Sequence, residues 1–147
     1  ERDSWDAAWG RRFAVNYADV AGRMRFVSVH SRADLHSLLC AVDVVLESPA
    51  WNDAMLAFDC LGLGVPLVTL PGKGARSRRS HTCYRQISVF DCVAYHSADY
   101  VETALTLAID KRRRSVVSQA IRNRAHVLFG QRSSFDAYMN FLEERTE

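Results

Sequence analysis

The sequence predicts an α/β domain, with a parallel sheet flanked by helices and further helices at its C-terminal end. Two observations carry that expectation. Short apolar runs rich in β-branched residues (Arg25 to Val29, Val42 to Leu46, Val65 to Leu70) alternate with stretches of helical spacing. Strands that alternate with helices form βαβ units, which place strands side by side and helices on both faces.

The elements follow in order. Ser4 can cap a first helix with Trp5, Ala8, Trp9, Phe13 and Tyr17 on its apolar face, and Gly22 supplies a stop. Arg25 to Val29 reads as a short strand. Residues 33–42 show helical spacing through Leu35, Leu38, Leu39 and Val42, with Asp34 suited to the first turn. Val42 to Leu46, bounded by Glu47, Ser48 and Pro49, reads as a strand buried on both faces. Asn52 is the natural cap of a helix over 53–63, with Gly62 and Gly64 at its end. Val65 to Leu70 is the next strand, ended by Pro71-Gly72. Residues 75–87 read as a basic helix, and Val89 to Tyr95 as either a fourth short strand or an irregular segment. Three helices close the chain at about 98–110, 112–129 and 134–145, the last capped by Ser134.

A length of 147 residues suits a single domain over 1–147, and the expectation is a fragment of a longer protein, because Glu1 to Asp6 carry no Met and no apolar signal core. No apolar run approaches the roughly 20 residues of a membrane span. The net charge of +2 does not by itself argue for nucleic acid. Its distribution is uneven: residues 1–69 carry six Arg against nine acids, and residues 70–147 carry thirteen Lys and Arg against eight. The four cysteines form no CxxC pair, which suits reduced thiols in a cytoplasmic or nuclear compartment and offers neither a disulfide framework nor a metal site.

In an open parallel sheet, ligands bind at the carboxyl ends of the strands, near helix N-termini. Three loops qualify: His30 to Arg32, Ser48 to Asp53, and Pro71 to Ala75. Neither GxGxxG nor a Walker A motif is present, and Gly62-Leu63-Gly64 lies at the wrong end of its helix for phosphate binding. The segment Leu46 to Asp59 is more specific, since it joins a buried strand to a helix through a Pro-containing loop. The start of that helix would offer free N–H groups to an anion. Asp59, seven residues after Asn52, could accept hydrogen bonds from two ribose hydroxyls, although a plain helix residue fits the pattern equally.

The stretch from Asp43 through Glu47-Ser48-Pro49 and Asn52, then Asp59, then Gly64-Val65-Pro66-Leu67-Val68-Thr69-Leu70-Pro71-Gly72 and Ser77-Arg78, resembles the O-linked N-acetylglucosamine transferase/SPINDLY family. The similarity covers about residues 23–142. The resemblance implies a Rossmann-like domain forming the C-terminal, nucleotide-sugar-binding half of a GT-B glycosyltransferase. Such an enzyme moves GlcNAc or fucose from a nucleotide-sugar to a protein Ser or Thr, with UDP-GlcNAc expected ahead of GDP-fucose. It implies that Asp59 holds the donor ribose, that Arg32 lies near the base, and that the turn of Asn52, Ala54, Met55 and Leu56 cradles the diphosphate through backbone N–H groups. It also places Arg78 on the donor side of the cleft, while His30 lies in a ligand loop by its position before the helix over 33–42. No catalytic residue is assigned, because the general base and acceptor site are expected in an N-terminal half of the same protein, so the chain alone is expected to be inactive. Where the family carries Gly-His-Thr-Thr, this chain has Asp53-Ala54-Met55-Leu56, without a side-chain donor and with an added negative charge; Leu35 occupies the family's base-contacting His position, with His36 beside it. The alternative is therefore a diverged, non-catalytic interaction domain on the same scaffold.

The remaining features have plainer readings. Lys73, Arg76, Arg78, Arg79 and Arg85 suit a solvated helix face more than a nucleic-acid surface, since only Tyr84 is interleaved with them. Lys111 to Arg114 suit the C-terminal end of the preceding helix better than a localisation signal. Trp5, Trp9 and Phe13 form an aromatic stripe expected in a core or interface. Trp51 either covers a bound sugar or packs against the missing half.

Overall fold

The computed structural model describes residues 2–145, with the side chains of residues 2–6 and of Ser134 outside that description. Contacts divide the chain into two compact units, the first ending at Asp34 and the second beginning at Leu35.

The first unit contains α1 (Arg2–Asn16) and α2 (Ala18–Ala21). The single helix expected up to Gly22 breaks at Tyr17, whose φ of −143° and ψ of 51° are not helical. Ser4 lies inside α1 rather than before it, and with Trp5 its side chain falls outside the described residues. The rest of the aromatic stripe is present: Phe13 meets Trp9, Tyr17 and Phe26 at ring-centroid separations of 6.1, 5.8 and 6.4 Å. The strand expected over 25–29 does not form. A strand exists only as part of a ladder, and among the described residues none pairs with this segment. Ser31 and Asp34 then start α3 (Arg32–Ala41) as a reciprocal capping box: Ser31 Oγ accepts from the Asp34 N–H at 3.1 Å, and Asp34 Oδ2 accepts from the N–H groups of Ser31 and His30 at 3.0 and 3.2 Å.

The second unit holds the sheet. Strands β1 (Val45–Leu46) and β2 (Leu67–Val68) run parallel, with Val45 opposite Leu67 and Leu46 opposite Val68, joined by α4 (Ala54–Leu63). Thr69 makes one further parallel bridge to Val93, which gives the 89–95 segment a single ladder position. The sheet is therefore smaller than the sequence suggests. Strand β1 is not buried on both faces, since Leu46 is 55% exposed and β2 is its only partner among the described residues.

Beside β2, the hydroxyl of Tyr84 both donates to the Leu67 carbonyl and accepts from the Leu67 N–H, each at 3.0 Å. A side chain thus satisfies both backbone groups of a central strand residue, which burial would otherwise leave costly. Around it lies one apolar core, built from Ala57, Cys60 and Leu61 of α4, Leu67 and Val68, and residues of α5 (Arg79–Ile87), α6 (Ser97–Ile109) and α7 (Lys111–Arg124). Each fully buried Leu or Ile there contributes roughly 1.5–3 kcal/mol by its transfer from water.

The helix ends depart from expectation in instructive ways. Asp53, not Asn52, caps α4. Gly62 is helical, and Gly64 alone forms the left-handed C-cap, its N–H returning to the Cys60 and Leu61 carbonyls. The basic helix expected over 75–87 splits into a 3₁₀ turn (Ala75–Ser77) and α5, and the one over 112–129 ends as a 3₁₀ turn (Ala125–Leu128). The last helix, α8 (Arg132–Glu143), begins after Gln131, so Ser134 lies within it rather than capping it. Of Lys111 to Arg114, Arg114 donates to the Leu107 and Ala108 carbonyls, so a cation does serve the end of α6.

Candidate functional site

The parallel sheet directs the loops 47–53 and 69–78 to one edge, beyond the carboxyl ends of β1 and β2. Backbone hydrogen bonds tie the two loops together: the Asn52 N–H donates to the Arg76 carbonyl at 2.9 Å, and the Gly72 N–H to the Ser77 carbonyl at 3.2 Å. Gly72 is required by space rather than by φ, since a Cβ there would lie 2.5 Å from Ser77 Oγ. Trp51 projects from the first loop, 55% exposed, with the Arg76 guanidinium 4.9 Å from its ring centroid.

Five of the eight expected binding residues sit together at this edge as the end of one loop and the first turns of α4. Asn52 is fully buried, its amide donating to the Ser48 carbonyl at 3.2 Å, which folds the loop back on itself. Ala54, Met55 and Leu56 form the first turn of α4, with the Met55 side chain exposed. Asp59 lies on the next turn and is only 7% exposed, and His36 Nε2 of α3 donates to its Oδ1 at 3.0 Å. Arg78 is on the neighbouring loop, beside a cavity of about 190 Å³ that it lines with Pro71, Gly72, His81, Ala94 and Tyr95. Burial and the nearby Arg78 and Arg85 lower the pKa of His81, so the cavity presents a neutral imidazole beside a fixed cation. His30 and Arg32 belong to the first unit, where both side chains are exposed.

Two features of this edge escape sequence reasoning. His36 joins the site through Asp59, and its only sequence signal is that it lies next to the position where the family resemblance expects a histidine. The second concerns the helix N-terminus. Asp53 Oδ1 accepts from the Met55 N–H at 2.9 Å and from the Leu56 N–H at 3.5 Å. Two of the backbone donors expected to cradle an anion therefore already serve a carboxylate of the chain itself.

Beneath these residues lies Glu47, at the end of β1 and only 4% exposed. Its Oε1 accepts from Ser80 Oγ of α5 at 2.5 Å, and its backbone carbonyl accepts from the Tyr100 hydroxyl of α6 at 2.8 Å. Desolvation raises the carboxyl pKa above its ordinary value, against the hydroxyls of Ser80 and Thr69, and the nearby Asp53 adds to the rise.

The cysteines are free: Cys60, Cys83 and Cys92 are buried and Cys40 is exposed. Burial pushes the Cys60 thiol up to about 12 and Cys92 to about 11, so neither is a nucleophile at neutral pH. Among the described residues no three His, Cys, Asp or Glu side chains gather as a metal site, and no helix is long and apolar enough to cross a membrane.

No curated protein matches the chain. Among solved structures it is similar to a single-substitution variant of the O-GlcNAc transferase of Thermobaculum terrenum, with a TM-score of 0.73 at 24% identity, over 85% of this chain and 24% of that one. The fold is therefore shared, and the chain spans about a quarter of that protein's length. The family model for glycosyl transferase family 41 matches residues 12–137, most of the chain and across the whole edge described above. The chain belongs to glycosyl transferase family 41.

Proposed function

We propose that this chain is the nucleotide-sugar-facing half of a GT-B glycosyltransferase, Rossmann-like in its ancestry, which works with an N-terminal half of the same protein. The reaction is transfer of a sugar, GlcNAc before fucose, from a nucleotide donor to a Ser or Thr hydroxyl of an acceptor protein. The observation that carries this reading is Asp59, a nearly buried carboxylate oriented by His36 one turn into the helix at the ligand edge. A carboxylate so held can accept hydrogen bonds from both hydroxyls of a ribose at little further ordering cost. Arg78 and Arg76 supply positive charge on the facing loop, Met55 and Trp51 supply apolar surface for a base or sugar ring, Arg32 is assigned to the base, and His30 to a ligand loop. A cytoplasmic or nuclear setting fits the free thiols.

A second reading is favoured by Asp53. Its carboxylate stands where the donor diphosphate would, and two like charges about 5 Å apart repel by roughly 3 kcal/mol at an effective dielectric near 20. On that reading the domain keeps the scaffold and serves as a non-catalytic interaction domain. Calorimetric titration with UDP, GDP, UDP-GlcNAc and GDP-fucose separates the two. Binding of a uridine ligand that weakens in Asp59→Ala supports the donor half. Absence of binding for all four at millimolar concentration overturns it in favour of the interaction domain.

A further inference from the structure

Among the described residues, three buried oxygens of the edge, Glu47 Oε2, Asn52 Oδ1 and Thr69 Oγ1, make no hydrogen bond of good geometry, although the Thr69 hydroxyl lies close enough to the Glu47 carboxyl to act on it. Their residues are 4%, 0% and 0% exposed; Glu47 and Thr69 follow directly on β1 and β2, and Asn52 ends the loop that leads from β1 to the Asp53 cap of α4. Buried polar atoms are normally satisfied, so three orphans at one edge call for a physical account. Glu47 offers one. A buried carboxylate needs a cation or several donors, and among the described residues Glu47 makes no ion pair; its one side-chain hydrogen bond of good geometry comes from Ser80.

The groups facing Glu47 from the elements packed on it are Asp53 at the start of α4, Cys60 within α4, Ser80 and Cys83 of α5, Thr69 after β2 and Tyr100 of α6. None is a cation, and one of them, Asp53, is another acidic side chain.

We propose that Glu47 is the positioning residue of the ligand edge and works in its proton-bearing form: Oε1 accepts from Ser80, and the carboxyl O–H on Oε2 donates to the Thr69 hydroxyl. The neutral carboxyl locks the end of β1 to α5 and to the residue following β2, while its backbone carbonyl is held by Tyr100. The loop carrying Trp51, Asn52 and Asp53 then leaves a fixed anchor. The proton also bears on the ligand, a step that rests on the donor reading above. Ionised Glu47 would add a second carboxylate to Asp53 at the place a diphosphate must approach, so donor binding and retention of this proton favour one another.

The test is carboxyl ¹³C NMR of the full 147-residue chain without ligand, with Glu47 assigned by through-bond correlation so that no variant need fold. The expected result is a midpoint above the ordinary glutamate value of about 4.3. A midpoint at or below that value overturns the proposal. Glu47→Gln, which keeps the neutral shape, is expected to retain the fold and to keep its melting temperature as pH rises from 5 to 8, where the parent loses some. A variant that falls with pH as steeply as the parent overturns it. UDP-GlcNAc, whose diphosphate does not titrate in this range, serves as the ligand probe. Its affinity is expected to fall several-fold from pH 5.5 to 8 in the parent and to stay flat in Glu47→Gln. If UDP-GlcNAc binds at neither pH, the donor reading fails, and the NMR midpoint still decides the role of Glu47.

Discussion

His36 Nε2 lies 3.0 Å from Asp59 Oδ1, joining α3 to α4 across 23 residues of sequence. The contact fixes a carboxylate that is only 7% exposed on its helix. A charge-assisted hydrogen bond to a ligand hydroxyl is worth about 1.5–3 kcal/mol. Asp59→Ala is therefore expected to weaken UDP binding by about 10- to 100-fold in calorimetry. His36→Ala should weaken it less, because it loosens the carboxylate without removing it. Equal affinity in the parent and Asp59→Ala would remove Asp59 from the site.

Asp53 caps α4, and on the proposed function its charge would oppose a donor diphosphate. Removing it as Asp53→Ala should cost about 1 kcal/mol of stability through the lost cap. At this chain length that is a fall of about 2–4 °C in melting temperature. Asp53→Ser keeps a capping oxygen and removes the charge, so its stability should stay near the parent while UDP affinity rises. Calorimetry and thermal melts on the two variants separate cap from charge.

For Glu47, the folded state favours the proton more than the unfolded chain does, since its pKa is raised. The folded protein thus binds more protons in the window between the two values, and its stability falls as pH rises through that window. Below the unfolded value the full stabilisation is present, and above the folded value it is gone. Urea unfolding from pH 4 to 8 should show this loss in the parent, at up to about 1.4 kcal/mol per pH unit within the window, and a smaller slope in Glu47→Gln.

Tyr84→Phe tests the side chain that completes β2. The substitution keeps the ring and strands the Leu67 N–H and carbonyl in a dry core. Unsatisfied buried groups cost about 1–3 kcal/mol each, so a loss of about 2–4 kcal/mol is expected in chemical denaturation. A loss below 0.5 kcal/mol, on the order of a surface substitution, would mean that water replaces the hydroxyl.

Gly64→Ala tests the cap at the other end of α4. The residue has φ of 74°, and a Cβ there would lie 2.3 Å from Arg122 Cγ. The left-handed backbone alone costs a non-glycine residue about 1–2 kcal/mol, and displacing the Arg122 side chain adds to it. Thermal melts should show a drop of several degrees, partly relieved in Gly64→Ala combined with Arg122→Ala.

Much of the architecture was legible because it is written in local periodicity. The helical spacing at 33–42 and 98–110, most of that at 112–129, and the strand cores at Val45–Leu46 and Leu67–Val68, appear in sequence and structure alike. Residues 25–29 show the limit: their composition suits a strand, but a strand is defined by a partner, and none pairs with them. The choice between Asn52 and Asp53 as cap was equally hidden. Both are good caps, and the fold decided by burying Asn52 against Ser48 while leaving Asp53 at the first turn.

By itself, the sequence determined the family and the run from β1 through α4 to β2, since each depends on residue types at short, fixed spacing. Only the tertiary structure decided how the edge beyond β1 and β2 is wired. His36 reaches Asp59 over 23 residues, Ser80 reaches Glu47 over 33 and Tyr100 reaches it over 53. These contacts, and the burial that shifts the Glu47 proton, arise when distant segments share one dry volume, and no local pattern in the chain encodes that.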